Sequence, residues 1–280
     1  MSFVGAFSLL SGAPRHPVGA DGRMALSDHF RELRARLMRS ALVLVVAFSI
    51  ALYFYGTLLD LVSAPYRDAV QQLGSKVDSQ LVVRDAGGGL LLQLKLCGVA
   101  ALVGASPYWL YQIWAFVLPG LHASERKYSR MFAAVAGPIF FGGVALGYYV
   151  LPKGLAVLIS FTPARVTNLV DFTSYFGFFT RMLLIFGIAM EIPVFVVLLN
   201  LAGVIRGEQI RRARPWIILG TMVFAAVATP STDPFSMLML AIPMLVLFLL
   251  AEIITRLVDR VRKRQRVSTD AWSDDEASPL

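Results

Sequence analysis

The chain has 280 residues, of which 57% are hydrophobic and 16% charged, against roughly a half and a quarter in soluble domains. The apolar excess lies in long runs separated by short basic stretches, which excludes an ordinary soluble domain and points to a polytopic helical membrane protein. The net charge of +8 flanks those runs, so it reads as a positive-inside bias and not as a nucleic-acid surface. A lone Cys97 excludes an internal disulfide, and His16, His29 and His122 lack metal-ligand spacing. No metal or cofactor is implied.

Residues 1–23 read as a disordered leader, or as an extension upstream of Met24. From Ser27 or Asp28, which can cap a helix, Phe30, Leu33, Arg34 and Leu37 recur at helical spacing. They predict an amphipathic surface helix running into a first span over 40–59. Ser63-Ala64-Pro65 follows, with Pro65 suited to the first turn of a new surface helix that carries Tyr66, Ala69, Val70 and Leu73. Gly87-Gly88-Gly89 is a loop before a second span over 90–117, kinked at Pro107.

A basic loop leads to a third span over 131–151, which carries the small-xxx-small pair Gly143 and Gly147. The loop 152–174 precedes a fourth span over 175–202 containing Arg181 and Glu191. A fifth, over 216–229, has an apolar stretch that reaches roughly 21 Å, short of roughly 30 Å of hydrocarbon. The turn Pro230-Ser231-Thr232-Asp233-Pro234 opens a sixth over 235–255. Residues 257–280, basic and then acidic, read as a disordered tail.

Arginine and lysine set the orientation. One side holds Arg31, Arg34, Arg36 and Arg39, then Arg126, Lys127 and Arg130, then Arg206, Arg211, Arg212 and Arg214, and then the run from Arg256 to Arg266. The other holds only Arg67, Lys76, Arg84, Lys153 and Arg165. The first side is expected to be cytoplasmic, and six spans put both termini there. The expected fold is all-α: six transmembrane helices in a concave bundle.

The sequence lacks a Walker-type phosphate loop, a paired-His motif and a nucleophile elbow, so an enzyme is not expected. Glu191 lies near the middle of its span, where an ionisable group is costly and functional by default; the plainer alternative is that it is neutral or bonded to a neighbouring helix and only holds the bundle together. Arg181, ten residues earlier, is expected to snorkel toward the outer interface instead of pairing with it. Glu32 and Glu125 sit among cations. Each either pairs within the chain, Glu32 with Arg36 and Glu125 with Arg126 or Lys127, or binds an external cation such as a guanidinium. A proton-coupled carrier using Glu191 and a structural scaffold are the competing functional readings.

Five segments carry a family resemblance. His29-Phe30-Arg31-Glu32-Leu33-Arg34-Ala35-Arg36-Leu37 is similar to the N-terminal segment of the TatC family, the multispanning receptor subunit of the twin-arginine protein translocase. So are Ser63-Ala64-Pro65, the stretch 107–121 with Glu125-Arg126-Lys127, the stretch from Phe186 to Pro193, and the last hairpin with Thr229-Pro230, Asp233-Pro234 and Ala241-Ile242-Pro243. The resemblance implies that Glu32 and Glu125, with Arg34, bind the paired arginines of the signal peptides of folded cargo. It further implies single-span TatA and TatB partners in an oligomeric complex, the bacterial cell membrane as location and the proton motive force as energy source. Glu191 would belong to an intramembrane working surface, and Pro65, Pro107 and Asp233 would be structural or partner-facing.

Overall fold

The computed structural model describes residues 26–74, 79–83, 87–117, 126–163, 167–201, 203, 205–228 and 234–270. The leader, Glu125, Asp233 and the acidic end of the tail lie outside the described residues, while residues 257–270, expected in a disordered tail, continue the last helix. In chain order the elements are α1 (Leu26–Tyr53), α2 (Tyr55–Leu73), β1 (Ser79–Val82), α3 (Gly88–Gly104), α4 (Ser106–Val117), α5 (Arg126–Ser160), β2 (Asn168–Asp171), α6 (Phe172–Leu201), α7 (Gly207–Ala228) and α8 (Pro234–Asp270).

Among the described residues, four stretches are long and apolar enough to cross a membrane: Phe30–Tyr53, Val135–Ser160, Phe172–Leu201 and Leu240–Val261. Gly88–Gly104 with Ser106–Phe116, bent by 58°, makes a fifth if counted as one broken span. The short fifth span expected from the sequence lies within α7. Its first two turns carry Glu208, Arg211, Arg212 and Arg214, which leaves too little apolar length for that criterion.

Several boundaries differ from the sequence reading, each for a local reason. The amphipathic segment and first span form one helix, as expected, but it ends at Tyr53. Phe54 takes φ −93° and ψ 18°, a bridge conformation that turns the chain. Pro65 does not open a helix; it lies inside α2, fully buried. Its missing N–H cannot bond the Leu61 carbonyl, and the Tyr148 hydroxyl donates to that oxygen at 3.0 Å instead. The neighbouring Val62 carbonyl accepts from the Tyr175 hydroxyl at 2.5 Å. Pro152 likewise does not end α5, which continues to Ser160.

The second span breaks in two. The amide of Ala105 closes α3 on the Ala101 carbonyl at 2.9 Å, and Trp109 Nε1 donates to the Leu102 carbonyl at 2.8 Å. Pro107 is the second residue of α4, where no N–H is needed. The break therefore costs few unsatisfied backbone groups.

A two-stranded parallel sheet, absent from the all-α expectation, joins the loops at one end. Ser79 pairs with Asn168, Gln80 with Leu169, Leu81 with Val170 and Val82 with Asp171. The Tyr66 hydroxyl lies 2.6 Å from Ser79 Oγ, which fastens the sheet to α2. Asp171 caps α6, its carboxylate accepting from the Ser174 amide at 2.9 Å.

The core sits between α5 and α6. A Cβ added at Gly143 would lie 2.5 Å from the Phe186 carbonyl oxygen and 2.9 Å from Gly187 Cα; one at Gly147 would lie 3.1 Å from Phe186 Cβ. Gly187 in turn faces the Phe140 ring. The small-xxx-small pair thus brings two backbones together, the source of attraction left when lipid removes the hydrophobic drive for helix pairing. Gly143→Ala is expected to force α5 and α6 apart and lower the thermal midpoint in detergent, a loss of about 1–3 kcal/mol. Gly142→Ala, with nothing within 4 Å, should leave the midpoint unchanged or slightly raised.

Candidate functional site

Glu32 and Arg36 are one turn apart on α1, a spacing that lets their side chains meet. Arg36 Nε and Nη2 both donate to Glu32 Oε1, at 3.0 and 2.5 Å. The same guanidinium extends its Nη1 to Gln112 Oε1 on α4 at 3.2 Å. Gln112 is buried, while Glu32 and Arg36 keep 18% and 19% of their side-chain surface exposed. The internal pairing expected for Glu32 is therefore present, and it reaches a second helix. Arg34 is exposed. Phe30, Leu33 and Leu37 on α1 are exposed as well, as an apolar stripe meant for lipid would be.

Glu191 is 8% exposed on α6, one turn beyond Gly187, and neither carboxylate oxygen has a hydrogen-bond partner among the described residues. Pro193, two residues on, removes the N–H that would bond the Ala189 carbonyl. Arg181 Nε instead donates to the Gly177 carbonyl at 3.2 Å, back toward the start of α6. Its exposed side chain is thus directed away from Glu191.

Of the remaining candidates, Pro107 packs on α5, where a Cβ at Gly137 would approach its own Cβ to 3.0 Å. Pro65 sits under the two tyrosine hydroxyls described above. Neither proline carries a polar side-chain group, so both shape the helices and add none to the cluster of Glu32, Arg36 and Gln112.

A second polar cluster, not expected from the sequence, lies where α6, α7 and α8 meet. Glu252, 4% exposed, accepts from Arg214 Nε at 3.0 Å and Nη2 at 2.7 Å, and also from Arg256. Asp259 accepts from the Gly207 amide at 2.6 Å and from Asn200 Nδ2 at 3.1 Å. It thereby caps the N-terminus of α7 from α8. Gly203, with φ 74°, ends α6 in the left-handed conformation a Cβ would strain. The only signal in sequence was the i, i+4 spacing of Glu252 and Arg256, since the Arg214 and Asp259 contacts join separate helices. Trp114 of α4 packs on Phe195 of α6, ring centroids 5.4 Å apart. This contact sets the Gln112 end of α4 beside the Asn200 end of α6, so both polar clusters lie toward one end of the bundle, opposite the sheet.

Asp259→Ala is expected to destabilise the protein by about 1 kcal/mol through loss of the α7 cap. The check is faster amide hydrogen exchange confined to the first turn of α7.

Residues 28–243 match the family described as Sec-independent protein translocase protein (TatC). A protein of that name from Frankia casuarinae is 38% identical over 270 residues, spanning 93% of this chain and 74% of its own. The one from Escherichia coli K12 is 33% identical over 224 residues, spanning 80% and 84%. Crystal structures of the twin arginine translocase receptor TatC superpose with TM-scores of 0.64 and 0.66 at 28% identity. They cover 82% and 81% of this chain and 98% and 99% of theirs.

Proposed function

The chain belongs to the TatC family of Sec-independent protein translocase components, multi-pass membrane proteins of transport and not enzymes, and from that premise we propose that it is the subunit that receives twin-arginine signal peptides. Glu32 and Glu125 accept the two arginine guanidinium groups at the cytoplasmic face, with Arg34 beside them. TatA and TatB join the bundle, and the proton motive force drives folded cargo across the bacterial cell membrane. In this reading α7 completes six spans, both termini are cytoplasmic, and the bundle is concave.

The observation that carries the reading is the state of Glu32. Its carboxylate already holds a guanidinium through two N–H groups, in a half-buried position between α1 and α4. A site able to hold one guanidinium has the chemistry to hold another. The basic residues at that end of the bundle support a cytoplasmic orientation. For Glu191, the support is a buried carboxylate without a partner among the described residues, which suits a surface completed by another subunit.

Glu32→Ala and Glu125→Ala are each expected to weaken photo-crosslinking to a twin-arginine signal peptide while the protein stays in the membrane at wild-type amount. Full crosslinking in both would remove the site. Glu191→Ala is expected to give a partial export defect, read as the fraction of folded reporter reaching the far side. Normal export would take Glu191 out of the working surface.

A further inference from the structure

We propose that Arg36 is a built-in competitor for the arginine that Glu32 receives, and that Gln112 is where its guanidinium rests once displaced. The inference rests on the reading of Glu32 as the receiving carboxylate and concerns how that carboxylate is kept before a peptide arrives.

A carboxylate has about four acceptor positions, two on each oxygen. Arg36 Nε and Nη2 both end on Oε1, which fills that oxygen. An incoming arginine seeks the two-point arrangement in which its parallel N–H groups take both oxygens. It cannot form this arrangement while Oε1 is held twice. The peptide guanidinium therefore has to exchange with Arg36, not add to it.

Exchange is costly if the displaced cation is left bare, and here it is not. Arg36 Nη1 is already bonded to Gln112 Oε1 at 3.2 Å. Gln112 is 5% exposed on α4, so it is a fixed acceptor. A guanidinium released from Glu32 keeps that bond and rotates toward α4. Arg36 thus shields Glu32 from loose cations while the receptor is empty. It also couples peptide arrival to a change in the link between α1 and α4. A lysine ammonium, a single point charge without the planar fork, would displace it less well.

The test measures binding of a labelled twin-arginine signal peptide to the purified full chain in detergent. Arg36→Gln is expected to tighten binding about three- to tenfold, the equivalent of one exposed-to-half-buried ion pair removed from the competition. Gln112→Met, which removes the resting acceptor at similar volume, is expected to weaken binding, and this effect should vanish in an Arg36→Gln background. Opposite signs on the two sides of one guanidinium are not what a merely structural link would give. Arg39→Gln loses the same charge from the same helix and should have a smaller effect. Equal tightening there would assign the gain to net charge and overturn the proposal, as would unchanged or weaker binding in Arg36→Gln. If Arg36→Gln does not accumulate, Gln112→Met decides alone, and undiminished binding overturns the proposal. Glu32→Gln separates the two readings. Loss of binding there with no gain in Arg36→Gln keeps the site and discards the competitor; full binding in Glu32→Gln discards both.

Discussion

The contact between α5 and α6 at Gly143 and Gly147 is the one on which the bundle depends. Lipid tails are as apolar as leucine, so two helices gain little by burying leucine against each other. What holds them is close backbone approach, and Gly143 permits it because any side chain would meet the Phe186 carbonyl. Phe140, Met182 and Phe186 become fully buried around this line. It also fixes the rotation of α6. With Gly187 turned toward Phe140, Glu191 one turn later is carried into the interior instead of facing lipid.

A second constraint shapes the ends of the helices. A backbone carbonyl without a partner is expensive away from water, and prolines inside helices create such carbonyls. The chain answers with side chains from other helices. Tyr148 and Tyr175 reach the carbonyls near Pro65, and Trp109 reaches Leu102 beside the break before Pro107. At the opposite end, Asp259 takes the first amide of α7. These bonds are also the joints of the fold, since each ties one helix to a neighbour. The short apolar run of α7 is understandable in this setting, since its start is held by α8 through Asp259, Glu252 and Arg214.

The polar cluster of Glu32, Arg36 and Gln112 has the character of a latch, and the cluster around Glu252 that of a rivet. The first keeps about a fifth of its charged side-chain surface open and shares one guanidinium between two acceptors. The second encloses a nearly buried carboxylate with two arginines. Breaking the second would strand a buried charge. Exchanging the first only swaps one guanidinium for another. That difference in burial separates a position suited to binding from one suited to support.

Apolar run length and charge sign were enough to identify a membrane protein, the helix-rich architecture and the basic stretches, because hydrocarbon thickness and the cost of burying charge act on local sequence. The Glu32–Arg36 pair was legible for the same reason, as a contact within one helix at i, i+4. Five short segments in order were enough for the family. Local sequence could not say that Pro65 would sit inside α2, since this depends on hydroxyls contributed from α5 and α6. Nor could it say that Gly143 would face Phe186, that two loops would pair as parallel strands, or that Arg36 would reach Gln112. The Glu252 and Asp259 contacts were hidden likewise. Each of these joins residues far apart in the chain, and only the packing of helices in three dimensions decides which acceptor stands opposite which donor.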